Sequence, residues 1–359
     1  MVESIFADYI KKYFNGVTGK LTQSYNDRKQ KPVYLIDNMT KPEFSVDGTW
    51  DSAQIKSSII AADVVSLNSS LPLKKRDVLA TAKGIIPKLG MKKSKKEDDI
   101  ERINLMKAKG VKEAQVAEAI FSDVKTCPEG IQVRLEIMFE QAVSTGACMV
   151  DSNTKTGTGI RATYGYLAGN MLKASKVWGT SGYTPISDMK KMLAKARENG
   201  TKINVIMMSD TAFEQIRTST EGKALWCNYA GLTQATQLAP NTDNMTKALA
   251  EEFKAEIIIV DSVFKVEMPD GTQKVVTPWE SANIVALPEK QIGRIVYAQL
   301  AEETSKAAGV QYSKVGAYTL VSMYRTTDPL EEITAAQAKA IPVIDSAEDI
   351  IVLDTAHTA

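Results

Sequence analysis

The side chains in this chain that could do chemistry are few, and their spacing excludes several reaction classes. His357 is the only histidine and lies two residues from the last position. A Ser–His–Asp or Cys–His centre would have to take its base from there, and a zinc site would lack its commonest nitrogen ligand. Cys127, Cys148 and Cys227 show no metal-ligand spacing, and an odd count fits a reducing compartment. The adjacent acids Glu251 with Glu252, Glu302 with Glu303, and Glu331 with Glu332 have three readings: glycosidase-type acids, solvated helix surface, or acidic faces that receive a basic segment. EIIIVDS at 256–262 could carry Asp261 to a catalytic sheet edge. No second titratable partner is spaced to Asp261, so a turn-capping role is the simpler reading. TGTGIR at 156–161 has the glycines of a phosphate loop but not GxxxxGK[ST], and reads as a domain junction. Met138, Met171, Met189 and Met192 read as adaptable helix packing. No catalytic residue, cofactor or metal site is expected, and the protein is not expected to be an enzyme.

What stands out is charge. Residues 71–96, LPLKKRDVLATAKGIIPKLGMKKSKK, carry nine cations against one acid, Asp77. Ile85 and Ile86 are interleaved with these charges, while Pro72, Pro87, Gly84 and Gly90 break any helical period. A disordered basic tail would lack the apolar residues. The pattern instead fits an extended arm half buried against opposite charge. With 44 Lys and Arg against 43 Asp and Glu, that opposite charge lies in the same sequence, which makes the chain a candidate for binding copies of itself. The balance also argues against bulk nucleic-acid affinity. At 359 residues and 44% hydrophobic, the chain is long enough for two cores. No apolar run approaches the roughly 20 residues that cross a bilayer, and Glu3, Asp8, Lys11 and Lys12 exclude a signal peptide at the start.

These residues must be positioned by a mixed set of elements. Ile5, Tyr9, Ile10, Tyr13 and Phe14 make one stripe of a short amphipathic helix that must dock on something larger. VYLIDN at 33–38 reads as a strand, and 46–96 as a long two-stranded excursion, of a length that usually binds something. Acids from Glu97 to Glu101 open a helix, and apolar spacing continues through Val116, Ile120 and Val124. A capping box from Thr126 to Glu129, with Pro128 in the first turn and Gly146 past the end, predicts a second helix. Its stripe, Ile131, Leu135, Met138 and Ala142, is widened by Phe139 and makes it a buried spine. After a Gly-, Thr- and Ser-rich boundary at 151–183 come α and β signals in alternation. These are a helix at 186–199, strand 203–208, a Ser209-capped helix to Ile216, a polar loop, a helix at 245–253 and strand 256–262. A hairpin about Pro269-Asp-Gly-Thr and strands at 283–287 and 292–299 complete one sheet, and the chain then returns to β from 317.

This order, with ADVVSLNSSLPLKKRD…GIIPKLGMK at 61–92, the helix at 128–145 and the closing TTDPLEEITAAQAKAIPVIDSAEDIIVLDTA at 326–356, resembles the lambda-type major capsid protein E family of tailed bacteriophages. The resemblance implies an α+β, Hong Kong 97-type capsid fold. It places an N-terminal arm at 1–46, an extended loop at 47–96, a peripheral domain at 97–183 with 301–359, and an axial domain at 184–300. It implies a major capsid protein whose hexamers and pentamers form an icosahedral shell around double-stranded DNA. Lys74, Lys75, Arg76, Lys83, Lys88, Lys92 and Lys93 would make intersubunit contacts from the extended loop. Ile131, Leu135, Met138 and Phe139 would form the spine core. A separate scaffold, a portal and a decoration protein would be further partners, DNA would be contacted non-specifically, and no membrane would be involved. The chain starts at the arm, so no fused scaffolding segment is expected. The location would be the virion, assembled in the host bacterial cytoplasm. Two other readings stay open from the residues: an encapsulin-type compartment subunit on the same fold, and an α/β enzyme with a basic substrate loop acting through Asp261.

Overall fold

The computed structural model describes residues 2–53, 81–150, 160–232, 239–268, 270–345 and 347–358. The chain forms two compact units, one of Met1–Trp50, Gly84–Glu140 and Gly293–Val343, the other of Asp51–Lys83, Gln141–Ile292 and Ile344–Ala359.

The first unit is built on a six-stranded sheet. Its order is Thr40–Ser45, Gly293–Ala298, Leu330–Ile344, Thr319–Thr327 and Gln311–Val315, and Lys88–Lys95 also pairs with Leu330–Ile344. The long strand Leu330–Ile344 has no fully exposed residue, because it has strand neighbours on both sides. The spine helix lies on this sheet: the Cys127 thiol reaches the Thr334 carbonyl at 3.7 Å. Ile131, Leu135, Met138 and Phe139 are all buried.

The spine is one helix of 33 residues, Glu113–Thr145, and not a new helix starting at Thr126. Pro128 sits inside it. Proline removes one helical hydrogen bond, but burial of Val124, Cys127, Ile131 and Leu135 on a continuous face outweighs that loss. Glu129 does not close a capping box; its carboxylate is occupied by three donors from the arm. Gly146, with φ +72, ends the helix as expected.

The arm helix, Ala7–Asp27, is longer than its stripe suggested and runs through Gly16 and Gly19. Ile10, Phe14 and Thr18, four residues apart, form its buried edge. Phe14 stacks on Phe121 with centroids 6.4 Å apart, and the Thr18 hydroxyl meets that of Ser313 at 2.8 Å. Tertiary burial thus outweighs the glycine penalty of about 1 kcal/mol each. The strand expected at 33–38 is instead a turn leading into the short helix Ile36–Met39. Carboxylates take the amides that a strand would have paired: Asp37 accepts from Val33 at 3.0 Å and Tyr34 at 2.9 Å, and Glu136 accepts from Leu35 at 2.8 Å and Ile36 at 3.0 Å.

The second unit has a five-stranded sheet in the order Met171–Ala174, Ile351–Thr358, Asn283–Leu287, Val205–Ser209 and Glu256–Val260. Val205–Ser209 and Glu256–Val260 run parallel, and Asn283–Leu287 is antiparallel to both of its neighbours. Helices Pro185–Glu198, Asp210–Thr218 and Thr242–Phe253 supply Met189, Met192, Phe213 and Leu249 to a core shared with Ile206, Ile284 and Leu353. Ser209 caps its helix as predicted, accepting the Ala212 amide at 3.1 Å. Three features depart from the sequence reading. The polar loop after Ile216 contains a further helix, Thr220–Ala230, capped by Ser219 and ended by Gly231. The strand expected at 292–299 is Gly293–Ala298 and belongs to the first unit's sheet, parallel to Thr40–Ser45. Met171 lies on a strand, not a helix, and is 41% exposed. The closing strand, Ile351–Thr358, lies in the second unit's sheet.

Candidate assembly surface

The basic segment is anchored at its root and along one strand. Thr49–Ala53 pairs with Thr81–Ile85. Buried Trp50 lies so close to Gly84 that a β-carbon there would be 2.8 Å from the indole nitrogen. Lys88–Lys95 then runs antiparallel to the long strand, with Lys88 opposite Lys339, Lys93 opposite Thr334 and Lys95 opposite Glu332. Met91 of this strand lies over Gly130 of the spine, where an added β-carbon would stand 2.1 Å from its sulfur.

The cations divide into two groups. Lys95 is buried and forms an ion pair with Asp123, and its ammonium also donates to the Ser122 hydroxyl at 3.1 Å. Lys88 is 3.6 Å from Glu302. Lys83, Lys92 and Lys93 are exposed, and among the described residues they form no ion pair. Lys74, Lys75 and Arg76 lie outside the described residues, as does most of TGTGIR at 156–161. Beside this strand is an open polar cleft of about 590 Å³, lined by Lys93, Lys95, Arg102, Asp99, Glu118 and Asp123 among others.

Four of the paired acids have partners within the fold. Glu302 accepts from Gln337 at 2.9 Å besides meeting Lys88, and Glu303 pairs with Lys314 at 2.9 Å. Glu332 is buried and accepts the Ile5 amide at 2.6 Å, and burial raises its pKa above the ordinary carboxylate value. Glu252 pairs with Lys190 at 2.6 Å. Asp261 is exposed beyond the strand Glu256–Val260. Among the described residues, no group of three or more His, Cys, Asp or Glu could hold a metal ion. No helix among them is long and apolar enough to cross a membrane.

The sequence reading missed the seat of the arm. Glu129 accepts from Arg28 at 2.8 Å, Tyr34 at 2.6 Å and Tyr25 at 3.1 Å. Burial pushes this carboxyl up, but the three donors and the guanidinium charge outweigh it and hold it below its ordinary value. Arg28 also lies over the rings of Tyr25 and Tyr34, 4.4 and 5.4 Å from their centroids. One signal was available in the sequence: Glu129, Gln132, Glu136 and Glu140 recur at helical spacing along the spine.

A long spine laid on one sheet, a docked arm, a rooted basic excursion and a second α/β unit define a phage capsid subunit of the Hong Kong 97 type. The comparisons agree. The chain belongs to the phage major capsid protein E family, whose model matches residues 18–354, and it is a structural protein of the virion. A protein assigned as the capsid protein of an E. coli CFT073 prophage has a similar fold, with a TM-score of 0.54 and 14% identity over 93% of this chain and 98% of that one. A phage-related protein from Bordetella bronchiseptica RB50 has a TM-score of 0.52 and 11% identity, over 95% and 96% of the two chains. No curated protein matches this sequence.

Proposed function

We propose that copies of this chain join as hexamers and pentamers into an icosahedral shell around double-stranded DNA, with no catalytic step. The observation that carries this reading is the division of the basic strand. Lys88 and Lys95 are held within the chain, whereas Lys83, Lys92 and Lys93 face outward from a backbone that is already fixed. A paired strand presenting Lys92 and Lys93, which form no ion pair among the described residues, suits contact with a neighbouring copy, where charge sets register more than affinity. Lys74, Lys75 and Arg76 would extend this contact. In this reading 1–46 is the arm, 47–96 the extended loop, 97–183 with 301–359 the peripheral domain and 184–300 the axial domain, with strand Gly293–Ala298 lent to the peripheral sheet and strand Ile351–Thr358 to the axial one. A scaffold, a portal and a decoration protein are its further partners, and assembly takes place in the host bacterial cytoplasm. Near-neutral charge suits a shell that touches packaged DNA non-specifically and later releases it.

The test is negative-stain electron microscopy of the chain alone and co-expressed with its neighbouring genes, beside a variant in which 54–80 is replaced by a short glycine link. The full chain is expected to give shells, tubes or rings of five or six, with nucleic acid inside closed particles. The shortened chain is expected to stay soluble, folded and unassembled. Protein cargo in place of nucleic acid would favour a compartment. A monomer under every condition, or shells from the shortened chain, would overturn the proposal.

A further inference from the structure

The hairpin of the second unit has no larger sheet to belong to. Phe264–Glu267 and Gln273–Val276 pair antiparallel with each other, and among the described residues neither strand pairs with a third. A lone two-stranded hairpin is marginal in water and gains from a further strand. Its register shows which backbone groups are left for one. The Met268 amide donates to the Thr272 carbonyl at 2.8 Å, at the mouth of the turn. Hydrogen-bonded and non-hydrogen-bonded pairs alternate along an antiparallel ladder. Counting back from Met268 and Thr272, Val266 with Lys274 is a hydrogen-bonded pair, while Glu267 with Gln273 and Lys265 with Val275 are not. Lys265 and Glu267 therefore turn their own N–H and C=O groups to the free edge.

The side chains on that edge suit one partner. Lys265 and Glu267 are exposed, and among the described residues neither forms an ion pair. Being two positions apart on a strand, they share a face. Edge strands are commonly guarded by charge. A guard of one sign repels a copy of itself, whereas this edge carries one charge of each sign. Laid antiparallel on a second copy about a two-fold axis through Val266, Lys265 of each chain stands opposite Glu267 of the other. Those two then form hydrogen-bonded pairs, which is the parity that the free N–H and C=O groups require. Centring the axis on Lys265 or on Glu267 sets like charges opposite each other. The other edge of the hairpin offers no equivalent, since an axis of the same parity, through Lys274, sets lysine against lysine.

We propose that Phe264–Glu267 is a self-complementary edge, at which two copies of this chain join their hairpins into one continuous sheet. The axis brings Val266 against Val266 of the second copy, a β-branched cross-strand pair. Val275, which faces Lys265 across the hairpin, and Val263, next before the strand, are 57% and 60% exposed and add apolar surface beside the seam. An isologous contact of this kind is complete in a pair of chains, and a closed shell with two-fold axes repeats it. It does not use the basic strand, so it and the shell reading stand or fall separately.

The test is disulfide trapping on the full chain, in low salt and over a range of concentration. Facing residues at a non-hydrogen-bonded position have Cα atoms about 4.5 Å apart, within disulfide reach. Mild oxidation of Val266→Cys is therefore expected to give a linked dimer, whereas Lys274→Cys, on the other edge, is expected to give little. The three native cysteines are buried and do not compete. Added to Val266→Cys, Lys265→Glu alone or Glu267→Lys alone sets like charges opposite and should cut the dimer about threefold or more. Both reversals in one chain, or an equal mixture of the two singly reversed chains, should restore it. Equal dimer from Lys274→Cys, a smaller loss from the single reversals, or a mixture that recovers nothing would overturn the contact. If Val266→Cys does not fold, sedimentation of the charge-reversed chains without it reads the same pattern. Wild-type shells with no Val266→Cys dimer would sink this contact and leave the shell reading, and a dimer without shells would do the reverse.

Discussion

Replacing Glu129 by Leu should destabilise the first unit by about 2–3 kcal/mol. The Arg28 side chain is 14% exposed and that of Glu129 32%, so the pair is neither a surface contact nor fully dry. Breaking a buried pair costs about 3–5 kcal/mol, because the remaining charge is stranded, whereas an exposed pair is worth about 1 kcal/mol or less. One-third exposure of the acid places the loss between these limits. Glu129→Gln keeps one acceptor oxygen, which serves one of the two tyrosines, and loses the charge and the other acceptor, so about 1–2 kcal/mol is expected. Urea unfolding of the unassembled chain would measure both variants. A double-mutant cycle with Arg28→Met should give a coupling of at least about 1 kcal/mol. A loss below about 0.5 kcal/mol for Glu129→Leu, or zero coupling, would refute the account of how the arm is seated. The Glu129 pKa is lowered on folding, so its contribution is complete above the ordinary carboxylate range and is lost as pH falls through the lowered value. Arm protection should therefore weaken at acid pH.

Other outcomes follow from the same packing. Leu135→Ala, at a site with 0% exposure, should cost about 2–5 kcal/mol in chemical denaturation. All three cysteines are buried, and burial raises the Cys127 thiol to about 11, so a thiol reagent at pH 7.5 should label the native protein negligibly and three sites after unfolding. Gly222→Ala would place a β-carbon 1.9 Å from the Ile216 carbonyl oxygen. Because that oxygen is backbone, the cost should be at least about 1–3 kcal/mol, read as a lower melting temperature. Lys95→Met should destabilise the monomer by leaving the half-buried Asp123 without its ammonium partner, whereas Lys92→Glu with Lys93→Glu should leave monomer stability within about 0.5 kcal/mol and abolish shells.

Periodicity carried much of the fold. The spine stripe, the fully buried strand Val205–Ser209 and the Ser209 cap were legible because each depends on residues within one or two turns of one another. The segment 33–38 was not legible, since its β-rich letters satisfy their amides on Glu136, 100 residues away. The same distance hid the arm's seat: Glu129 looked like half of a capping box until three donors from the arm reached it.

The basic segment shows the division most clearly. Composition alone determined that the chain carries a concentrated block of cations, that its acids lie elsewhere in the same sequence, and that any histidine-based centre would have to draw on His357. Only the tertiary structure decided which cations are committed. Lys88 and Lys95 are claimed by Glu302 and Asp123, while Lys83, Lys92 and Lys93 remain outward. Charge is a property each residue brings with it. Whether that charge is satisfied depends on which distant carboxylate the sheet and spine bring within a few ångströms, and no local pattern encodes that distance.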